Sequence, residues 1–328
     1  DTTTAAVQFS STISNASAQN LTINAGANDI TLSGAVGSGT AVGAINLNST
    51  GITTISNSIN AVSIQTNTGG TLALNGGTVI TSGAQTYGEA TTLGADTNLS
   101  TGSGTGLVTF SSTLNGGGKY LNLTGNLAIS AALTNLSSIS VSGTTSLGAN
   151  VTTTGSQTYT GATTLSGADR TLTSSNSDFL SLGAVNGLYG LTLSNGSGAI
   201  TLGSIGNSDA LTFLTLQGIG ANTLNGDIKT SGNVDLKGTS RTTTFELDRA
   251  ITTTMNGANG VITLGTTNAA YGLTLNSGSG TINLSGVGVA GDGMLPTSLA
   301  WLILTGTGIN NLGGSITSFG QVNLKGTS

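Results

Sequence analysis

The segment TSGAQTYGEATTL at residues 81–93 recurs as TTGSQTYTGATTL at residues 153–165, with nine of thirteen positions identical. Two further segments recur: LGAVNGLYGLTL at 182–193 returns as LGTTNAAYGLTL at 264–275, and VDLKGTS at 234–240 returns as VNLKGTS at 322–328. The copies are spaced 72 to 88 residues apart. Internal repetition of this kind predicts a repeat architecture in which similar structural units stack on one another.

The recurring segments divide the chain into modules. Starting modules at Gln85 and Gln157, with Arg241 at the equivalent place, predicts units at 85–156, 157–240 and 241–328. Residues 1–84 then form a diverged, truncated module. Because the chain starts inside a module and ends at a module edge, we expect one continuous solenoid that is a fragment of a longer repetitive chain.

Within each module the pattern is that of short strands. Triplets such as Leu191-Thr192-Leu193 and Leu273-Thr274-Leu275 alternate aliphatic and polar residues, and Asn-Gly, Ser-Gly and Gly-Gly turns separate them. Aromatic residues make up only 4% of the chain, which favours a thin core of stacked aliphatics over a β-sandwich or barrel. The sequence therefore predicts an all-β, right-handed parallel β-helix of roughly 15 coils, each of roughly 18–24 residues, with almost no helix.

Composition excludes several kinds of chemistry. The chain has no His and no Cys, so it cannot form a His- or Cys-ligated metal site, a disulfide or a His-based catalytic triad, and we expect no cofactor. Seven Lys and Arg residues in 328 are too few for a nucleic-acid footprint. The longest apolar run, LAWLIL at 299–304, is far shorter than the ~20 residues of a membrane span.

The clearest cluster of charge is Glu246, Asp248 and Arg249. Residues two apart on a strand share a face, so the two carboxylates could serve carbohydrate chemistry, which needs paired acids. The other interpretation is a solvated strand edge with a local ion pair. We expect the aliphatics of the triplets to point into the core, and the acidic residues, including Asp227 and Asp235, to face solvent.

The few aromatic residues form a second candidate set because they lie near turns at related module positions. Tyrosine and tryptophan rings stack on sugars, whereas the alternative role is to plug a coil corner or the end of the core. The candidate contacts for a glycan or partner are Tyr87, Tyr159, Tyr189, Tyr271 and Trp301.

The text QTYxxxTTLGADTxL at Gln85–Leu99, followed by VTFSSTLNG at Val108–Gly116, resembles the repeats of giant bacterial surface proteins. These are the beta strand repeat proteins related to filamentous haemagglutinin, which are exported by two-partner secretion. The resemblance is sharpest at 81–116 and 153–193, and residues 241–250 depart from it. It implies a right-handed β-helix on the outer surface of, or secreted from, a Gram-negative bacterium, and it offers no catalytic residues.

These observations predict a non-enzymatic structural rod of a bacterial cell-surface or secreted filament or adhesin. Its expected partners are neighbouring modules of the same chain, like filaments, and host or matrix glycans or proteins. The absence of Cys fits export as an unfolded chain. The alternative function is that of a carbohydrate-binding or carbohydrate-active β-helix.

Overall fold

The computed structural model describes residues 5–102, 106–288 and 298–325. The chain is an all-β parallel solenoid of about 15 turns, as the triplets and turns predict. The helical content is about 1% and lies in a 3-10 turn at Met255–Gly257. The chain divides into two compact units, residues 1–161 and 162–328.

The described residues of the first unit form twenty strands. They are β1 Val7–Phe9, β2 Leu21–Gly26, β3 Ile30–Leu32, β4 Val42–Ser49, β5 Ile52–Ile55, β6 Ile59–Thr66, β7 Thr71–Leu74, β8 Thr78–Thr81, β9 Gln85–Tyr87, β10 Ala90–Leu93, β11 Thr97–Ser100, β12 Leu107–Phe110, β13 Leu114–Asn115, β14 Leu121–Thr124, β15 Asn126–Ile129, β16 Leu133–Leu136, β17 Ile139–Val141, β18 Thr145–Leu147, β19 Val151–Thr153 and β20 Gln157–Tyr159.

The number of strands in a turn changes within this unit. Strands β4 and β6 are eight residues long. Strand β6 pairs in parallel with both β8 and β9, because Ser82 and Gly83 form a bend that splits the equivalent strand of the next turn in two. From this turn onward there are three stacks, in which β7, β8 and β9 are followed by β10–β12, β13–β15 and β16–β18. The stack of β7 continues the earlier one of β1, β3 and β5, and the other two both extend from β6. The bend adds a corner to the turn of the solenoid, and Gln85 is the first residue of the strand that follows it.

In the second unit, residues 162–288 and 298–325 form eighteen strands. They are β21 Thr163–Leu165, β22 Arg170–Ser174, β23 Leu180–Leu182, β24 Val185–Asn186, β25 Leu191–Ser194, β26 Ile200–Leu202, β27 Leu214–Gln217, β28 Ala221–Leu224, β29 Ile228–Lys229, β30 Val234–Asp235, β31 Thr242–Thr244, β32 Arg249–Thr252, β33 Ile262–Asn268, β34 Leu273–Gly278, β35 Ile282–Val287, β36 Leu302–Gly306, β37 Asn310–Leu312 and β38 Val322–Leu324.

Turn length varies more than the sequence predicts. Leu133 pairs with Val151, Val234 pairs with Ile262 and Leu273 pairs with Leu302, so these turns take 18, 28 and 29 residues. The longest turns therefore exceed the predicted 18–24 residues. The extra residues of the Val234 turn include the 3-10 turn, which lies between β32 and β33 and leaves the strand register intact.

The core consists of aliphatic side chains stacked one turn above another. Leu191 pairs with Leu214, and Leu273 pairs with Leu302, and all four are fully buried. Leu193 and Leu275 are buried in the same way, so the prediction for the triplets is confirmed. Alternation turns the intervening polar residues, such as Thr192 and Thr274, toward the partly exposed outer face, whereas several other threonines, among them Thr53, Thr91 and Thr163, are buried.

Candidate functional site

The repeated Gln-x-Tyr motif lies inside the solenoid. The Nε2 amide of Gln85 donates hydrogen bonds to the carbonyl of Ser100 at 2.9 Å and to two groups of the preceding strand, and the hydroxyl of Tyr87 donates to Gln85 Oε1 at 2.9 Å. Gln157 and Tyr159 repeat the arrangement, with a hydroxyl-to-Oε1 distance of 3.1 Å. Burial raises the pKa of both phenols, so they act as neutral donors.

Two of the tyrosines predicted as glycan contacts therefore cannot be contacts. Tyr87 and Tyr159 are 0% and 1% exposed, and the ring of Tyr87 stacks on Phe110 at a centroid distance of 5.0 Å. The prediction of a ligand role is wrong for these two residues. Each hydroxyl already has an internal partner, and each ring fills a corner of the core.

Arg241 stands where the other modules have glutamine, and it is fully buried. Its Nε donates to Asn222 and one terminal nitrogen donates to Asn195 at 3.1 Å. The remaining bonds go to the backbone carbonyls of Gln217, Gly198 and Ala221. Burial lowers the pKa of Arg241 to about 10, so the guanidinium stays charged at neutral pH. Gln85 and Gln157, at the same module position, are buried and polar as well. This position in the repeat was therefore the signal in the sequence that could have indicated the burial of Arg241.

Five of the ten aspartates form hydrogen bonds between adjacent turns, which depend on the register of the turns. Each of these five precedes a strand and accepts the N–H of the residue stacked on it in the next turn. The pairs are Asp29 with Ile52, Asp96 with Tyr120, Asp169 with Gly190, Asp227 with Ala250 and Asp248 with Gly272. Asn20, Asn126 and Asn233 accept N–H groups of the next turn in the same way. These bonds satisfy backbone donors at the corners.

This geometry corrects the interpretation of Glu246 and Asp248 as a pair on one strand face. Both are exposed and lie in the bend between β31 and β32. Asp248 binds the N–H of Gly272 at 2.8 Å. Arg249 donates to the carbonyls of Leu224 and Asp248, each at 3.0 Å. The predicted cluster is thus divided, with Asp248 and Arg249 bound to backbone.

The bend places Glu246 in a groove with Tyr271. The groove has a volume of about 420 Å³. Part of its lining is a column of Thr223, Thr244 and Asn268, which pair across three successive turns. The other lining residues are Phe245, Glu246, Ala269, Ala270 and Tyr271. Of the five aromatic candidates, Tyr271 is the one that lines this groove, and it is 39% exposed.

Trp301 and Tyr189 are not among the residues that line this groove, and both are half-buried. Trp301 covers Gly272, where an added Cβ would lie 2.0 Å from the indole. Phe213 covers Gly190 in the same way one module earlier, also at 2.0 Å. Close packing on a glycine backbone accounts for both rings and for the glycine that follows the tyrosine in each LYGLTL or AYGLTL segment.

Glu89 is a buried acid that the sequence analysis did not single out. It follows β9 and is 1% exposed. Thr53 Oγ1 lies 3.5 Å from Oε1, and Oε2 has no hydrogen-bond partner among the residues that the structure describes. Burial raises the pKa of Glu89 from 4.5 to about 7, and the bond from Thr53 offsets this only in part. The equivalent residue of the next module is Gly161, so the fold does not require an acid here.

Within the described ranges, no group of three or more Asp and Glu residues is placed to hold a metal ion. In the same ranges no helix is both long and apolar enough to cross a membrane. Comparisons with protein-family models, with curated proteins and with solved structures give no match to this chain.

Proposed function

We propose that this chain is a structural, non-enzymatic segment of a bacterial surface or secreted filament or adhesin. The observation that carries the proposal is that the residues defining the repeat are used for folding. Gln85, Tyr87 and their counterparts Gln157 and Tyr159 are buried in corners and bonded to each other and to backbone. A repeat whose recurring residues build the fold can be extended turn by turn, because each turn pairs with the next. An extended solenoid of this kind suits spacing and cell or matrix contact.

The outer surface supports assembly with like filaments. Only 6% of residues are charged, and the outward positions of the strands are mainly Thr, Ser and Asn. A surface with few charges resists close approach of identical copies less than a strongly charged one does. The proposed location, the exterior of a Gram-negative bacterium, rests on the resemblance of the repeats at 81–116.

Electron microscopy tests this proposal. The full-length protein, purified in its native state and negatively stained, should show long, uniform filaments, and immunogold labelling should place them outside intact cells. Compact particles, or label confined to the cell interior, would overturn the proposal.

A second candidate function, contact with carbohydrate, is favoured by the groove that joins Glu246 to Tyr271. Binding fits this groove better than hydrolysis does. Glycoside hydrolases use a pair of carboxyl groups separated by roughly 5–10 Å. Glu246 is the one carboxylate among the described residues that line the groove.

A further inference from the structure

We propose that the groove lined by Thr223, Thr244, Glu246, Asn268 and Tyr271 binds a neutral pyranose oligosaccharide. The inference deepens the second candidate function, on which it rests, by naming the site and the class of ligand. It does not depend on whether the chain forms filaments.

The lining supplies the two kinds of contact that a sugar requires. The exposed ring of Tyr271, beside the methyl groups of Ala269 and Ala270, provides an apolar surface for the C–H face of a pyranose. Thr223, Thr244 and Asn268 provide polar groups in the same groove. These three residues are in register on adjacent turns, so they are spaced by about 4.8 Å. That spacing is close to the length of one pyranose unit, which favours a chain lying along the column.

The charge of the lining residues determines which class of saccharide the groove fits. Glu246 is exposed, and an ionised carboxylate accepts charge-assisted hydrogen bonds from sugar hydroxyls. No Lys or Arg is present among the described lining residues. Sulfated or uronic-acid chains would place anionic groups near Glu246 with no cation to offset them. The groove is therefore matched to a neutral ligand.

Glu246 and Tyr271, the acidic and aromatic residues of the site, both lie in the last module, and the preceding module does not repeat this pair. Tyr189 and Asn186 stand where Tyr271 and Asn268 stand one module later, but the residue equivalent to Glu246 is Gly167. Tyr189 is also less exposed than Tyr271. We expect one binding site for each chain of 328 residues, and Tyr189 provides a matched control.

The test is calorimetric titration of the purified chain with defined hexasaccharides. The neutral probes are cellohexaose, maltohexaose, mannohexaose, chitohexaose and a β-linked galactohexaose, and a heparin hexasaccharide is the acidic probe. We expect at least one neutral probe to bind with a stoichiometry of one and the heparin probe to bind more weakly.

Variants assign the binding to the groove. Tyr271→Ala should weaken affinity about tenfold through loss of stacking, and Tyr271→Phe should keep it within about threefold. Glu246→Gln should lower the affinity for the neutral probe and reduce the difference between the affinities for the neutral probe and for heparin. Tyr189→Ala should leave affinity unchanged. Circular dichroism checks that each variant is folded.

Three outcomes would overturn the inference: no neutral probe binds, heparin binds more tightly than every neutral probe, or Tyr271→Ala and Tyr189→Ala have equal effects. Filament formation by Tyr271→Ala, viewed by negative stain, is scored separately. Loss of sugar binding with intact filaments leaves the structural proposal standing, and compact particles that still bind sugar leave the groove assignment standing.

Discussion

Replacing Glu89 by glutamine should make the protein more stable at alkaline pH and leave its stability in acid nearly unchanged. The carboxyl is 1% exposed, and its Oε2 has no partner among the described residues. Ionisation in that environment is costly because the long hydrogen bond from Thr53 to Oε1 replaces only part of the lost hydration. Glutamine has almost the same shape and carries no charge, so the substitution removes the cost without opening a cavity.

The magnitude follows from the pKa of Glu89, which burial raises from 4.5 to about 7. A pKa difference of one unit between the folded and unfolded states corresponds to about 1.36 kcal/mol of stability. The ionisation of Glu89 therefore lowers the free energy of unfolding by about 3 kcal/mol. The folded state holds its proton more tightly than the unfolded state does. Stability is therefore fully present below about pH 4.5, falls as pH rises, and reaches its lower value above about pH 7.

The assay is urea unfolding followed by far-ultraviolet circular dichroism at pH 4 and pH 8.5. Glu89→Gln should exceed the parent protein by about 3 kcal/mol at pH 8.5 and by much less at pH 4. Glu246→Gln, which removes an exposed carboxylate, is the control for the change in net charge. Two results would refute the argument that Glu89 is a buried acid with an unsatisfied oxygen. One is equal stability of Glu89→Gln and the parent protein at pH 8.5. The other is the same difference in stability between them at both pH values.

Three further changes test packing and the hydrogen bonds between turns. Leu193→Ala removes a fully buried side chain and should cost about 2–5 kcal/mol in urea unfolding; a cost below about 1 kcal/mol would contradict a closely packed core. Asp248→Ala should cost about 1 kcal/mol and Asp248→Asn much less, because asparagine keeps the oxygen that accepts the N–H of Gly272; equal losses would indicate that charge matters instead. Arg241→Met should cost about 3 kcal/mol or more by leaving buried acceptors unpaired, and an unchanged unfolding midpoint would contradict the buried network.

The alternation within single triplets predicts the strands and the core, because the two faces of a strand are distinguished by neighbours in sequence. Leu191 and Leu193 could be assigned to the interior in this way, and both are fully buried. Repetition of whole segments then favours a solenoid over a sandwich. The repeated Gln-x-Tyr motif was also visible in the sequence. The burial of Tyr87 was not, because a tyrosine near a turn can point into the core or toward solvent.

The sequence by itself thus determined the class of fold, the approximate number of turns and the identity of the core leucines. Only the tertiary structure decided which polar residues are internal, as for Glu89 and Arg241, and which partners the aspartates bind. Asp248 and Gly272 are 24 residues apart, and Glu246 and Tyr271 meet in one groove because the same turn closes on its neighbour. Turn length ranges from 18 to 29 residues, so no fixed spacing in the sequence identifies such pairs. The register that brings them together is set by the stacking of whole turns, where the burial of many aliphatic side chains outweighs the preference of any single polar residue.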